Sequence, residues 1–192
     1  MKKIVVIGPE STGKSTLCSQ LATHYRTSWV QEYARAYLLE RGMQYSFADL
    51  LVIAKGQLAL EEQALASATA HAAAGVPLFV DTDLYVMKVW CEVVFGDCHR
   101  FILDQIAQRT CDLYLLCDTD LPWVRDELRE YPDLAMRRRL FHMYHDILIN
   151  QPVPWALISG DHETRLQKAI EAVDDSGPPA AFLPRQKEEK NA

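Results

Sequence analysis

Short apolar runs alternate along the chain with longer stretches in which apolar residues recur at helical spacing. The short runs predict five strands, at residues 3–7, 28–31, 78–81, 113–117 and 155–158. Helical spacing predicts helices at residues 14–25, 32–41, 46 to about 74, 83–95, 99–109, 122–149 and 163–173. Because strands alternate with helices, we expect an α/β fold, with a parallel five-stranded sheet between two helical layers.

The ends of the longest helix and of the chain carry their own signals. Ser46 is a candidate N-cap with Asp49 three residues later, and Gly75 predicts where that helix stops. Prolines and a charged run fill residues 174–192, which predicts a disordered tail after a domain of residues 1–173.

Composition narrows the classes of partner. The 192 residues suit one domain, and 26 acidic against 20 basic residues give a formal net charge of −6. A duplex-binding protein would show a basic footprint instead. Apolar runs fall short of the roughly 20 residues of a membrane helix, and the first is too short for a signal peptide. Five cysteines without zinc spacing predict free thiols. We therefore expect a cytoplasmic protein that binds neither nucleic acid nor a membrane.

Residues 8–15, with the sequence GPESTGKS, match the phosphate-binding pattern G-x-x-x-x-G-K-[ST] in full. A predicted strand precedes them and a helix follows, so successive backbone N–H groups can surround an anion at the helix N-terminus. Lys14 supplies a positive charge to the phosphates and the Ser15 hydroxyl a ligand for Mg²⁺. The predicted ligand is a nucleoside triphosphate with Mg²⁺, bound by Gly8, Glu10, Ser11, Thr12, Gly13, Lys14, Ser15 and Thr16.

Of the protein classes that carry this phosphate-binding loop, the rest of the sequence favours a small-molecule kinase. A GTPase switch is missing, since the D-x-x-G pattern occurs only at residues 174–177. The chain is short for an AAA-type motor, and its charge does not favour a DNA track. A small-molecule kinase needs a carboxylate near the acceptor hydroxyl, a pocket for the acceptor and an arginine-bearing lid.

Three carboxylates follow predicted strands at the edge where the phosphate loop lies. Asp81 ends the third strand and is the candidate that supports Mg²⁺ together with Ser15. Glu32 follows the second strand and is the first candidate for the general base, with Asp83 as the other. The alternatives are a helix cap for Asp81 or Asp83 and a solvated first-turn acid for Glu32.

Aromatic and arginine side chains supply candidates for the pocket and the lid. Tyr33, Trp90 and Trp123 are candidates for stacking on a flat ring, with core packing as the alternative. A lid over about residues 120–150 carries five arginines, of which at most two of the consecutive three can face the site. The candidates for phosphate contact are Arg125, Arg129, one of Arg137, Arg138 and Arg139, and also Arg35 outside the lid.

Four segments together resemble a known family. They are GPESTGKS at residues 8–15, EYAR at 32–35, DTD at 81–83 and DTDLPW at 118–123. The set is similar to the ribosylnicotinamide kinase domain of NadR-type NAD regulators, over about residues 1–173. The resemblance implies a P-loop fold like that of nucleoside and nucleotide kinases, with a helical lid.

The same resemblance implies a reaction and roles for residues. ATP, with Mg²⁺, would phosphorylate the 5′-hydroxyl of nicotinamide riboside. Glu32, Arg35 and Asp83 would face the riboside, Arg129 would come from the lid, and Gly160 would lie beside the adenine. Since the loop strand starts at residue 3, adenylyl transfer and DNA regulation are not expected. Two alternatives remain: a kinase for another nucleoside or nucleotide, and an ATP-binding module without catalysis. The oligomeric state stays open.

Overall fold

A five-stranded parallel sheet forms the centre of the molecule in a computed structural model that describes residues 1–71 and 76–177. The strand order is β2-β3-β1-β4-β5. The strands are β1 (Lys3–Ile7), β2 (Trp29–Val30), β3 (Leu78–Asp81), β4 (Leu113–Cys117) and β5 (Trp155–Ile158). The helices are α1 (Lys14–Tyr25), α2 (Tyr33–Arg41), α3 (Phe47–His71), α4 (Leu84–Phe95), α5 (Arg100–Gln108), α6 (Leu134–Ile149) and α7 (His162–Asp175).

Alternate residues of the central strand face opposite helical layers, as the two faces of a strand require. Ile4 and Val6 pack with α1 and α7, whereas Val5 and Ile7 pack with α4 and α6. All four are buried, which explains why they form one continuous apolar run rather than an alternating pattern. A third cluster joins α2, α3, α4 and α5 beside the sheet. The predicted three-layer α/β/α fold is confirmed.

Several predicted boundaries change by a few residues. The second strand shortens from residues 28–31 to Trp29–Val30. At the start of α3 the predicted pairing of Ser46 with Asp49 is present, because the Ser46 N–H and hydroxyl both donate to Asp49 Oδ2, at 2.8 and 2.6 Å. The predicted stop of α3 at Gly75 lies outside the described residues.

The last helix continues past residue 173 to Asp175, and the Tyr25 hydroxyl donates to Asp174 at 2.7 Å. Of the predicted tail, residues 178–192 also lie outside the described residues.

The segment predicted as a helix over residues 122–149 is only half helical. Residues 122–133 contain no helix, and α6 begins at Leu134, where Asp133 accepts a hydrogen bond from the Met136 N–H at 2.8 Å. Proline at 122 and 132 disfavours a helix there. Backbone N–H groups of this segment instead donate to side chains of the phosphate loop, as described below.

The lengths of the helices and the state of the cysteines complete the description of the fold. Within residues 1–71 and 76–177, none of the helices combines the length and apolarity needed to cross a membrane. The five cysteines are free thiols, and all but Cys98 are buried. Burial raises the pKa of Cys91, Cys111 and Cys117 to about 12, which keeps these thiols protonated and unreactive.

Candidate active site

A cleft of about 450 Å³ opens at the carboxyl edge of the sheet, over β1, β2 and β3. The phosphate loop forms one wall, and α2, α4 and α6 contribute to the rest. The cleft gathers most of the predicted site residues: Gly8, Glu10, Ser11, Thr12, Gly13, Lys14, Ser15, Thr16, Glu32, Arg35, Asp81, Trp90 and Arg129. Tyr33, Asp83, Trp123, Arg125 and Gly160 are not part of its lining.

The backbone of residues 8–13 forms the turn that an anion-binding loop needs. Gly8, Ser11 and Gly13 all have positive φ angles, of 143°, 55° and 80°. A Cβ atom at Gly8 would stand 2.7 Å from the Cys117 carbonyl oxygen, so this position requires glycine on two counts. Gly13 precedes α1 without a side-chain cap, which leaves N–H groups of the first turn available to a phosphate.

The polar side chains at the start of α1 suit a triphosphate and its magnesium ion. Lys14 Nζ reaches back over the loop and donates to the Pro9 carbonyl at 3.0 Å. The Ser15 hydroxyl donates to Asp81 Oδ2 at 2.5 Å, so a hydroxyl and a carboxylate lie together beside Lys14. Oxygen donors of this kind are the ligands that Mg²⁺ takes beside nucleotide phosphates. The residues present therefore fit the predicted nucleotide and metal.

Two carboxylates of the cleft interact with the same lysine. Asp81 is 1% exposed, and burial raises its pKa while the charge of Lys14 and the hydrogen bond from Ser15 lower it. Burial also raises the pKa of Glu32, opposed first by Lys14, whereas Asp81 raises it further. Glu32 occupies the N-cap position of α2, yet its side chain makes no capping hydrogen bond. Its carboxylate lines the cleft, where a general base for an acceptor hydroxyl would have to lie.

Asp83 turns away from the cleft, so the prediction that it faces the substrate is not supported. Thr82 has a φ of 74°, and after this turn the Asp83 carboxylate caps α4 through the Tyr85 N–H at 2.9 Å. Its other oxygen accepts from the Tyr114 hydroxyl at 2.9 Å. Asp83 lines a separate, small cavity with Lys3 and Glu61. Of the two candidates for the general base, only Glu32 lines the large cleft.

Tyr33 likewise serves the packing of helices. Its N–H donates to Gln57 Oε1 of α3 at 2.8 Å. Its ring lies over Gly56, where a Cβ atom would come within 2.2 Å of the ring. The alternative interpretation of Tyr33, core packing, is the one that this geometry supports.

Of the two candidate tryptophans, one lines the cleft. Trp90 lies along α4 in the wall, and its Nε1 donates to the Tyr45 hydroxyl at 2.9 Å. Trp123 instead donates from Nε1 to Glu10 at 3.1 Å and is not part of the lining. Tyr144 of α6 also lines the cleft, and sequence reasoning missed it. It is buried in the same core cluster as Leu140 and Leu148 of this helix, so no local pattern distinguishes it.

The arginines divide between the cleft and the surface. Arg129 lines the cleft and donates to the Val124 carbonyl, while Arg125 is exposed and lies outside the lining. Arg35 lines the cleft as well, paired with Asp126 at 3.0 Å. A hydrogen bond from Arg35 holds the pKa of Asp126 below its usual range.

One of the three consecutive arginines points inward. Arg137 is 2% exposed, and its Nη2 donates to the Ser11 and Leu121 carbonyls at 3.2 and 3.3 Å. Its Nε has no hydrogen-bond partner within the described part of the chain, and burial lowers its pKa. Arg138 and Arg139 are exposed. A buried cation with a spare donor beside the phosphate loop is suited to an anion.

A second buried arginine, which the sequence analysis did not single out, fastens the loops behind the site. Arg165 of α7 donates to the carbonyls of Thr12 and Gly160, at 3.0 and 2.8 Å. It also contacts the Asp118 carbonyl and the Asp120 carboxylate. Gly160 itself donates from its N–H to Asp120 at 2.6 Å, outside the lining of the cleft.

Residues 3–165 match the profile of a protein family described as an AAA domain. The chain belongs to this family.

Two curated relatives of this AAA-domain chain bear the name trifunctional NAD biosynthesis/regulator protein NadR. The Salmonella typhimurium protein is 26% identical over 182 residues, which are 91% of this chain and 42% of the relative. The Escherichia coli protein is 28% identical over 180 residues, or 90% of this chain and 42% of the relative. The chain thus spans about two fifths of the length of the curated relatives it matches.

Solved structures share the fold of the AAA-domain chain. An NadR protein in complex with NR has a TM-score of 0.70 at 24% identity, over 97% of this chain and 53% of that one. A thymidylate kinase from Ehrlichia chaffeensis has a TM-score of 0.65 at 15% identity, over 90% and 98%. A deoxyadenosine kinase from M. mycoides has a TM-score of 0.59 at 12% identity, over 91% and 100%. The predicted nucleoside- and nucleotide-kinase-like fold is confirmed.

Proposed function

We propose that the chain is a kinase that uses ATP and Mg²⁺ to phosphorylate the 5′-hydroxyl of nicotinamide riboside, giving nicotinamide mononucleotide. The observation that carries the proposal is the shared cleft. The phosphate loop with Lys14 and a pocket holding Glu32 and Trp90 open into the same 450 Å³ space. A kinase needs the phosphoryl donor and the acceptor side by side, because its catalysis consists largely of positioning and charge stabilisation.

Several residues have a role in this proposal. Lys14, Arg129 and the N–H groups of the phosphate loop bind the phosphates, and the buried Arg137 adds a positive charge behind the loop. Ser15 and Asp81 hold Mg²⁺, which when bound neutralises charge between the phosphates. Glu32 accepts the proton of the acceptor hydroxyl. Asp83 takes no part, since it faces another cavity.

The choice of acceptor rests on the relatives. Both curated relatives bear the NadR name, and a solved NadR protein of the same fold is in complex with NR. Trp90 and Tyr144 in the pocket wall supply aromatic faces, which attract a cationic ring such as a pyridinium.

The kinase domain is residues 1–173 with the last residues of α7, and its place is the cytoplasm, where ATP is supplied.

A second candidate is a kinase for another nucleoside or nucleotide. It is favoured by one observation: the thymidylate and deoxyadenosine kinases match over nearly their whole length. A nucleotide acceptor would need a further phosphate contact, and Arg35 is the cleft arginine that could provide it after leaving Asp126.

The test is phosphoryl transfer from ATP with Mg²⁺ to single acceptors, followed by product analysis. We expect transfer to nicotinamide riboside, and we expect Lys14→Ala to lower kcat by about 100- to 1000-fold, as for loss of a charge-stabilising donor. Transfer to another acceptor alone would overturn the choice of substrate. Normal turnover by Lys14→Ala would overturn the assignment of the phosphate loop.

A further inference from the structure

The phosphate loop carries a carboxylate at its third position, which is an unfavourable place for negative charge beside a triphosphate. Both oxygens of Glu10 are nevertheless occupied by donors from one segment. Oε1 accepts from Trp123 Nε1 at 3.1 Å and from the Tyr131 N–H at 2.8 Å. Oε2 accepts from the Glu130 N–H at 2.9 Å. We call residues 121–133, which lie between β4 and α6, the strap.

Other contacts hold the strap to the same loop and across the cleft. Ser11 Oγ accepts from the Val124 N–H at 3.0 Å. The buried Arg137 bridges the Ser11 and Leu121 carbonyls, so it joins the loop to the beginning of the strap. At the far wall, Asp126 pairs with Arg35 of α2. The strap therefore spans the cleft, with its firmest attachment at the phosphate loop.

The strap carries an arginine of the cleft at the point where Glu10 holds it. Arg129 lines the cleft, and the next two residues are the ones whose N–H groups donate to Glu10. Movement of this backbone would carry the Arg129 guanidinium away from the phosphates. We propose that Glu10 is a positioning residue, which fastens the strap to the phosphate loop and so sets Arg129 against the transferring phosphate. This inference rests on the proposed kinase function, and it replaces the expectation that Glu10 is itself a ligand of the nucleotide.

The chemistry of the contact requires a carboxylate. Three N–H donors converge on the side chain, and an ionised carboxylate is purely an acceptor. A glutamine would turn an NH₂ group toward at least one of these donors, and an unsatisfied N–H is costly. Hydrogen bonds to a charged acceptor are also about twice as strong as neutral ones. Glu10→Gln therefore loosens the strap while keeping the size of the side chain.

The experiment compares Glu10→Gln with Glu127→Gln, which makes the same change at an exposed position of the strap. For Glu10→Gln we expect ATP affinity within about threefold of wild type and kcat about 10- to 100-fold lower, since misplacement of a catalytic group costs about this much. Glu127→Gln should behave as wild type. A weakened ATP affinity with an unchanged kcat would overturn the proposal and make Glu10 a nucleotide ligand.

A double-mutant cycle with Arg129→Met separates positioning from a general structural effect. If Glu10 acts through Arg129, the double variant loses little more activity than Arg129→Met alone. Additive losses would contradict the proposal. Should Glu10→Gln fold poorly, Trp123→Phe removes one of the three donors without altering the loop, and the same separation of kcat from ATP affinity is expected.

A readout without catalysis keeps this inference apart from the kinase proposal. Limited proteolysis within residues 121–133, with saturating ATP present, should become faster in Glu10→Gln and stay unchanged in Glu127→Gln. Equal cleavage rates would overturn the role of Glu10 even if the wild type is a kinase. Failure of the wild type to phosphorylate any acceptor would count against the proposed function, and the cleavage rates would still test the strap.

Discussion

Glu32 is the residue on which the acid–base chemistry of the proposed reaction depends. It lies between β2 and α2, lines the cleft with Lys14 and makes no capping hydrogen bond. Burial raises its pKa above the usual 4.5, against the opposing charge of Lys14. A carboxyl group whose pKa lies nearer to neutrality is a better proton acceptor for a hydroxyl than an exposed one.

The raised pKa predicts an acid limb in the activity. The base must be ionised to act, so activity falls as the pH falls through the folded-state pKa of Glu32, at a pH above 4.5. Glu32→Gln should lower kcat by about 10- to 100-fold, because the proton acceptor is lost. The loss is no larger than this because the loose transition state depends mainly on positioning. The limb should also disappear from the profile of kcat/KM against pH in this variant. An unchanged limb would assign the titration to another group.

At the scale of single residues, the sequence alone is enough to place a residue only where the direction of the backbone around it need not be known. The phosphate loop is defined by a contiguous motif, so its residues could be named from the sequence alone. Asp81 and Asp83 are two residues apart, yet they face different cavities because Thr82 adopts a positive φ. Nothing in the residue types around them encodes that turn.

At the scale of helices and strands, the contact between α2 and α3 positions Glu32 and Arg35. The Gln57 side chain accepts the first N–H of α2, and the Tyr33 ring lies on Gly56. A helix interior normally disfavours glycine by about 1 kcal/mol relative to alanine. Gly56 is therefore explained by the approach of the ring rather than by the helix.

Two variants at this contact should interact strongly. Gly56→Ala places a Cβ atom 2.2 Å from the Tyr33 ring and should lower the free energy of unfolding by about 1–3 kcal/mol, the usual cost of overpacking. In a Tyr33→Ala background the same change should raise it by up to about 1 kcal/mol, because only helix propensity remains. Urea unfolding of the four proteins measures both effects. Destabilisation of similar size in both backgrounds would contradict this packing.

The strap shows why an element can be misjudged from its sequence. Its composition resembles that of a charged helix, but its N–H groups at Val124, Glu130 and Tyr131 bond to side chains of the phosphate loop. Such bonds join positions more than 100 residues apart, and a local pattern does not contain them. The strands, in contrast, are short apolar runs, and burying such a run is favourable whichever elements cover it. Four of the five strands have the predicted bounds.

Across the whole molecule, Arg165 joins the phosphate loop to the loops that follow β4 and β5. It reaches from α7 to the phosphate loop at Thr12, to the loop after β4 at Asp118 and to the loop after β5 at Gly160. Its side chain is 3% exposed. Buried carbonyl groups need partners, and here a single guanidinium supplies donors to three of them.

Loss of this arginine should weaken the fold as a unit. Arg165→Met leaves buried carbonyls without donors, and we expect the free energy of unfolding to fall by about 3 kcal/mol or more. Gln167→Ala, on the exposed side of the same helix, should change it by less than about 0.5 kcal/mol. Chemical denaturation measures both. A loss of less than about 1 kcal/mol for Arg165→Met would show that the loops are held by other contacts.

The central claim is the identity of the acceptor, and a competition assay tests it most directly. The full chain receives equal concentrations of nicotinamide riboside, deoxyadenosine and thymidylate with Mg²⁺ and limiting ATP, and mass spectrometry identifies the phosphorylated products. We predict nicotinamide mononucleotide as the main product. Phosphate found mainly on thymidylate or deoxyadenosine, or ATP hydrolysed while every acceptor stays unmodified, would contradict the account.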